Sequence, residues 1–378
     1  MIYSTRDDGF CQRLKSLLRV IRASEIFNED YRFIWRKKGG EYGAFHACED
    51  VLDVFSKEYV KRKHVTELPG IVDVSAMELS KGVTGNYNII EGWDFLDSRG
   101  ENYSREFSSI GFSDSINSAI TFGKTIDIGS KPVAVHVRGG DICYGVGKNN
   151  SFEFQDKVIT IPLAKDIARR SDGRVIFFCQ DEGFKEKLTG VENAIFPEDL
   201  CKDLGMSKLE SLMFDVILMS RCEAVFGGKS AVPEVAAMIA GAKQYHPLDK
   251  YSPEDIASIS RSGELFSDCA QDDDIIYFSL INSLYYSILS ECNQNDIKDI
   301  VKEAVSVNPN SFQSLFFGYV YEREFLKNCL LGNKFSSSDI DKVVKSNYAM
   351  LKNSGIVSQV VSSSGFTFKA YKAWLASL

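Results

Sequence analysis

At 378 residues the chain is long enough for two or three domains, each with its own core. Hydrophobic residues make up 44% and charged residues 25%, the globular range, which excludes a disordered chain. The net charge of −8 argues against a large nucleic-acid footprint, although an acidic protein can still carry a local basic pocket.

In chain order, a short strand is expected over residues 1–5, followed by the polar turn Arg6-Asp7-Asp8-Gly9. Leu14, Leu17, Leu18, Ile21 and Ile26 then recur at helical spacing, with Arg13, Lys15, Arg19 and Arg22 mostly on the other side. A strand at 31–35 completes a β-α-β opening that suggests a parallel α/β layer. From about 60 to 115 the pattern is polar, with scattered Gly and Ser, and carries no readable period. Order returns with a buried strand at 132–137, a helix at 162–170, a strand at 174–179 and a short helix at 183–188. A strand at 193–196, an amphipathic helix at 207–221 and a strand at 223–226 follow. The next helix, near Pro233, stops at Gly241, where glycine suits a C-cap, and a last strand is expected at 244–247. This alternation is the doubly wound α/β pattern, in which ligands bind at the carboxyl ends of strands. Beyond residue 250 the period becomes helical. Ser252-Pro253-Glu254-Asp255 has capping-box spacing, Asp272-Asp273-Asp274 starts a helix, and 304–322 has a repeat flavour without a second copy.

The nine cysteines show no zinc spacing, and several lie in apolar runs, so reduced buried thiols and a reducing compartment are expected. The amino terminus lacks the apolar core of a signal peptide, and no apolar run approaches the ~18 residues of a membrane span. The expected setting is cytoplasmic. His46, His64 and His246 form no metal or triad spacing, and no GxSxG elbow supports acyl transfer.

Five segments could do chemistry. The strand ending His136-Val137-Arg138-Gly139-Gly140-Asp141 offers a guanidinium fork and a backbone that an anion can approach closely. Gly227-Gly228-Lys229-Ser230 is not a P-loop, because that spacing requires glycine where Glu223 stands. It reads as a strand-to-helix turn suited either to an anion or to close packing. Asp181 and Glu182 end a strand, where they would bind hydroxyls or cap a helix. Asp215 lies among apolar residues of its helix, suited to a guanine edge, or else partly exposed or paired with Arg221. Asp7 or Asp8 would act as a general base if the amino-terminal turn faces the donor loop, or would simply stabilise a helix dipole.

Taken together, these segments resemble the fucosyltransferase superfamily that includes α1,2-, α1,6- and protein O-fucosyltransferases. The matching marks are Gly9-Phe10-Cys11-Gln12-Arg13-Leu14, the His136–Asp141 motif, Phe177-Phe178-Cys179-Gln180-Asp181, and Asp215 through Glu223 followed by Gly227-Gly228-Lys229-Ser230. They cover roughly residues 1–250. The resemblance implies a GT-B fold of two Rossmann-like lobes, at 1–125 and 126–250, with a helical extension at 251–378. It implies a metal-independent inverting transfer, without a cofactor, from a nucleotide sugar, GDP-fucose by preference, to a glycan acceptor. Arg138 would hold the donor phosphate, His136 and Asp215 the guanosine, and Ser230 a phosphate. Gly139, Asp181, Gly228 and Lys229 would complete the donor site, Asp8 would serve as base, and Asp7 and Arg13 would meet the acceptor. The family's second motif arginine is Gly139 here, which removes a positive charge beside the donor and opens the site to another nucleotide sugar. The amino-terminal glycine pair is likewise reduced to Gly9-Phe10-Cys11. The implied setting is bacterial surface polysaccharide synthesis (O-antigen or capsule), with a lipid-linked acceptor and the helical region available for peripheral membrane or oligomer contacts. A helical interaction protein carrying an inactive transferase lobe is the rival reading.

Overall fold

The structure, a computed structural model, describes residues 1–37, 49–68, 83–84, 87–89, 102–144, 155–202, 204–263, 272–309, 311–322, 325–326 and 328–329. His46, Cys48 and Cys269 lie outside them. The chain opens as read from the sequence: β1 (Ile2–Ser4), α1 (Phe10–Phe27) and β2 (Tyr31–Phe33) form a β-α-β unit with the strands parallel. Asn28, with φ of 53°, closes α1 in the left-handed conformation. Two short helices follow, α2 (Val51–Val54) and α3 (Lys57–Lys63), each capped by the side chain before it, Asp50 and Ser56. The hairpin β3 (Val83–Thr84) and β4 (Tyr87–Ile89) completes a four-stranded sheet of order β2-β1-β4-β3.

After α4 (Ser104–Ser109) and α5 (Asp114–Thr125), a second sheet begins at β5 (Val133–His136). In order come α6 (Gly140–Cys143), α7 (Ile161–Arg169), β6 (Val175–Phe178), α8 (Glu182–Leu188), β7 (Ala194–Ile195), α9 (Pro197–Cys201) and α10 (Lys208–Ser220). Then follow β8 (Ala224–Phe226), α11 (Ala231–Ala240) and β9 (Lys243–Tyr245). The strands are all parallel in the order β7-β6-β5-β8-β9. From β5 the chain winds outward through β6 and β7, then returns to the other side of β5 for β8 and β9. The crossover helices follow suit. Helices α7 and α8 pack with Val135, Val175 and Phe177 on one face, while α10 and α11 pack with Ala134, Ile176 and Val225 on the other. The winding therefore reverses between β5 and β8, and the two connections diverge there to leave a crevice at the carboxyl edge.

The helices α12 (Pro253–Ser260), α13 (Asp273–Leu289), α14 (Gln294–Val307) and α15 (Phe312–Tyr321) share one continuous apolar cluster with the α7 face of this sheet. Helix α13 is buried almost all round from Ile275 to Ile288, as its largely apolar composition requires, with Ser279, Asn282, Ser283 and Ser287 buried among the apolar residues. Through residue 326 the helical region is thus packed as one layer of the sheet.

A correction concerns α1. Its period placed Arg13, Arg19 and Arg22 mostly on a polar face, yet all three are buried. The reason is tertiary: α1 packs β1 on one side and α11 and α4 on the other, within a single apolar cluster joining the two sheets. Arg22 is satisfied by Glu106 Oε1 at 2.6 Å and lies over the Tyr103 ring.

Candidate functional site

The two glycine-bearing loops lie side by side at the reversal point. Val135 pairs with Phe226 across β5 and β8, so His136 and Gly227 are the next neighbours, and a side chain at Gly227 would lie 3.7 Å from the His136 Cβ. Arg138, partly buried, follows one turn on. The loops thus bring a cation, Arg138, beside a glycine turn in which the Gly227, Lys229 and Ser230 N–H groups already donate to the Tyr245, Asp156 and Gly228 carbonyls.

Gly139 is there for packing. A Cβ at this position would lie 2.5 Å from the Phe184 ring. The Phe184 ring, presented by α8, fills the space beside Gly139, so a side chain there would require the ring to move. Asp181 is the N-cap of α8, its Oδ1 accepting from the Phe184 N–H at 3.1 Å. Its role here is the capping alternative, and it thereby fixes the ring beside Gly139.

Gly228 is equally constrained. A Cβ would stand 2.2 Å from the Lys157 carbonyl carbon, so the turn is pressed backbone to backbone on residues 155–157. The Lys229 N–H donates to the Asp156 carbonyl at 2.9 Å, and Lys229 Nζ pairs with Asp156 Oδ2 at 2.9 Å, which raises the lysine above its ordinary value. Ser230 is buried at the start of α11, where its hydroxyl makes no capping bond. Of the two readings of this turn, close packing is the one observed.

Asp215 of α10 lies within electrostatic range of Cys11 in the first turn of α1. Burial drives its carboxyl well above the usual carboxylate range, with Glu198 adding to the effect and Lys185 opposing it. No hydrogen bond or ion pair holds it among the described residues, and Arg221 instead donates to the Gly123 carbonyl at 2.6 Å. The Cys11 thiol, buried beside it, is pushed up to about 12 by desolvation, with the Asp215 charge second. The amino-terminal turn is consequently an electrostatic neighbour of α10.

That turn is organised by arginines. Arg13, 2% exposed, donates to the Asp8 carbonyl at 2.6 Å, the Arg36 carbonyl at 2.6 Å and Asp7 Oδ1 at 3.1 Å. Arg6 grips both Asp8 oxygens, at 2.7 Å to Oδ2 and 2.9 Å to Oδ1. Arg13 shapes the turn from beneath, while the Asp7 and Asp8 carboxylates remain partly exposed above it.

The His64 ring packs against Phe33 in a tilted arrangement, and His246 caps a short helix, accepting from the Leu248 N–H at 3.2 Å; both are structural. Among the described residues every cysteine is a free thiol, no three His, Cys, Asp or Glu side chains gather as a metal site, and no helix is long and apolar enough to cross a membrane. A polar cavity of about 420 Å³ between Lys165 and Asn193 borders the opposite end of α7 and is remote from the crevice.

No protein-family model and no curated protein matches this chain. Among solved structures it is similar to the fucosyltransferase NodZ from Bradyrhizobium, at 13% identity and a TM-score of 0.42, over 63% of this chain and 92% of that one. It is also similar to NodZ α-1,6-fucosyltransferase co-crystallised with GDP, at 14% identity and a TM-score of 0.43, over 63% of this chain and 91% of that one. A likeness of this size assigns no activity to the chain.

Proposed function

We propose that the protein is an inverting GT-B glycosyltransferase that uses a nucleotide-sugar donor, GDP-fucose by preference, and a glycan hydroxyl as acceptor. The observation that carries the reading is the meeting of the Arg138 loop and the Gly227–Ser230 turn at the one point where the sheet reverses its winding. Arg138 stabilises the diphosphate as it departs, when negative charge builds on the β-phosphate oxygen. The Gly228 backbone and the buried Ser230 hydroxyl approach the phosphates, with Lys229 and His136 flanking them. Asp215 offers two carboxylate oxygens with no protein donor, which suits the paired N–H groups of a guanine edge.

In the proposed reaction Asp8 takes the acceptor hydroxyl proton, the acceptor oxygen bonds to the anomeric carbon, and the bond from that carbon to the β-phosphate oxygen breaks. The nucleoside diphosphate leaves with the bonding electrons. Asp7, held by Arg13, contacts the acceptor from the same turn. A lipid-linked precursor of a bacterial surface polysaccharide, met in the cytoplasm, is the acceptor class this reading favours.

Calorimetric titration with GDP and UDP tests it, paired with Arg138→Ala. The expected result is GDP-selective binding in the wild type and a transfer or donor-hydrolysis rate about 10²–10³-fold lower in the variant at unchanged fold. UDP-selective binding would replace the donor while keeping the reaction class. Absence of any nucleotide binding would return the chain to the scaffold reading.

A further inference from the structure

The Gly227–Ser230 turn takes its shape from behind. Residues 155–157 press on Gly228, and Asp156 holds both the backbone and the side chain of Lys229. Residues 155–157 are held in turn by the His246 ring, whose Nε2 lies 3.0 Å from the Asp156 carbonyl, and by a buried polar chain running through the helical region. Asn282 Nδ2 of α13 donates to Gln155 Oε1 at 2.7 Å, and Ser260 Oγ of α12 donates to Asn282 Oδ1 at 2.9 Å. Ser260 Oγ also lies 3.1 Å from the Thr160 hydroxyl. Gln155, Thr160, Ser260 and Asn282 are each no more than 1% exposed.

Such a chain is costly in an apolar layer, since each polar group is desolvated and gains only a modest net return from its hydrogen bond. Apolar side chains of similar volume would fill the same space between Ile281 and Leu284 without that cost. A directional amide pair does what apolar packing cannot, which is to fix the position of the backbone that carries it. The same helix reaches the other loop, because the Tyr144 hydroxyl, just beyond α6, donates to Asp272 Oδ2 at 2.7 Å. Helix α13 therefore braces both sides of the crevice.

We infer that Asn282 is a positioning residue for the donor diphosphate: through Gln155 it sets the 155–157 turn, which in turn sets the Gly227–Ser230 backbone where the phosphates bind. The inference rests on the nucleotide-sugar reading above. Its test compares binding of GDP, UDP and their nucleosides, guanosine and uridine, to wild type, Asn282→Leu and Gln155→Met, with folding monitored by circular dichroism. The second variant cuts the same link from the other end and covers the case in which the first does not fold. In a folded variant the diphosphate should bind roughly ten-fold more weakly while the nucleoside binds as before, because only the phosphates meet the turn. Equal weakening of both, or of neither, overturns the positioning role and leaves the nucleotide reading standing. A wild type that binds neither GDP nor UDP removes that reading and this inference together.

Discussion

Two edges of the molecule, the loop edge of the five-stranded sheet and the amino-terminal turn, are held by different physics. On the five-stranded sheet the loops are fixed by steric contact: Gly139 lies against the Phe184 ring and Gly228 against the Lys157 backbone. On the amino-terminal side, the turn at residues 6–9 is fixed by charge, with Arg13 beneath it and Arg6 clamping Asp8. A diphosphate site needs a backbone that does not move when charge develops, and close packing provides that. An acceptor side must admit a second substrate, and partly exposed ion pairs can rearrange at a cost of about 0–1 kcal/mol each.

The sharpest way to break this contrast is Gly228→Ala. The added methyl meets backbone, which cannot rotate away, so the turn must shift. Diphosphate affinity should fall about 10²-fold, measured by calorimetry. An affinity within two-fold of wild type would mean that the turn is not sterically fixed. On the charged side, Arg13→Met removes the buried guanidinium and leaves the Asp8 and Arg36 carbonyls without their donor. Denaturant unfolding should show a loss of about 2–3 kcal/mol, and acceptor KM should rise while donor affinity holds. Donor affinity falling in step would show that the two edges are not separable.

The smallest effect is expected at Asp215. Burial raises its folded-state pKa above the unfolded value, so the folded protein binds the extra proton, and stability falls as pH rises above the ordinary carboxylate pKa of about 4. Asp215→Asn removes that penalty. It should melt about 2–4 °C higher at neutral pH, with the gain vanishing below about pH 4, while binding GDP more weakly. Equal melting temperatures at neutral pH would show that the carboxylate is not penalised there.

The strands at 132–137, 174–179 and 223–226 were readable because a strand buried on both faces is a run of apolar residues bounded by turn chemistry, and each is observed within a residue or two of its expected ends. The caps at Ser252 and Asp272 were readable for a similar local reason, since a helix start is written in adjacent residues. His136, Arg138 and Gly228 could be singled out as strand-end residues without knowledge of the strand order.

Contacts distant in sequence were beyond such reading. The sequence by itself determined the alternating elements, their buried faces and the loops that end them, because these follow from local periodicity and backbone preference. Only the tertiary structure decided that β8 returns beside β5, that Phe184 fills the space beside Gly139, that three arginines of α1 lie inside, and that Asn282 reaches Gln155 from 127 residues away. Each of these depends on which faces meet, and the cost or gain of burying a group exists only once its partner surface is in place.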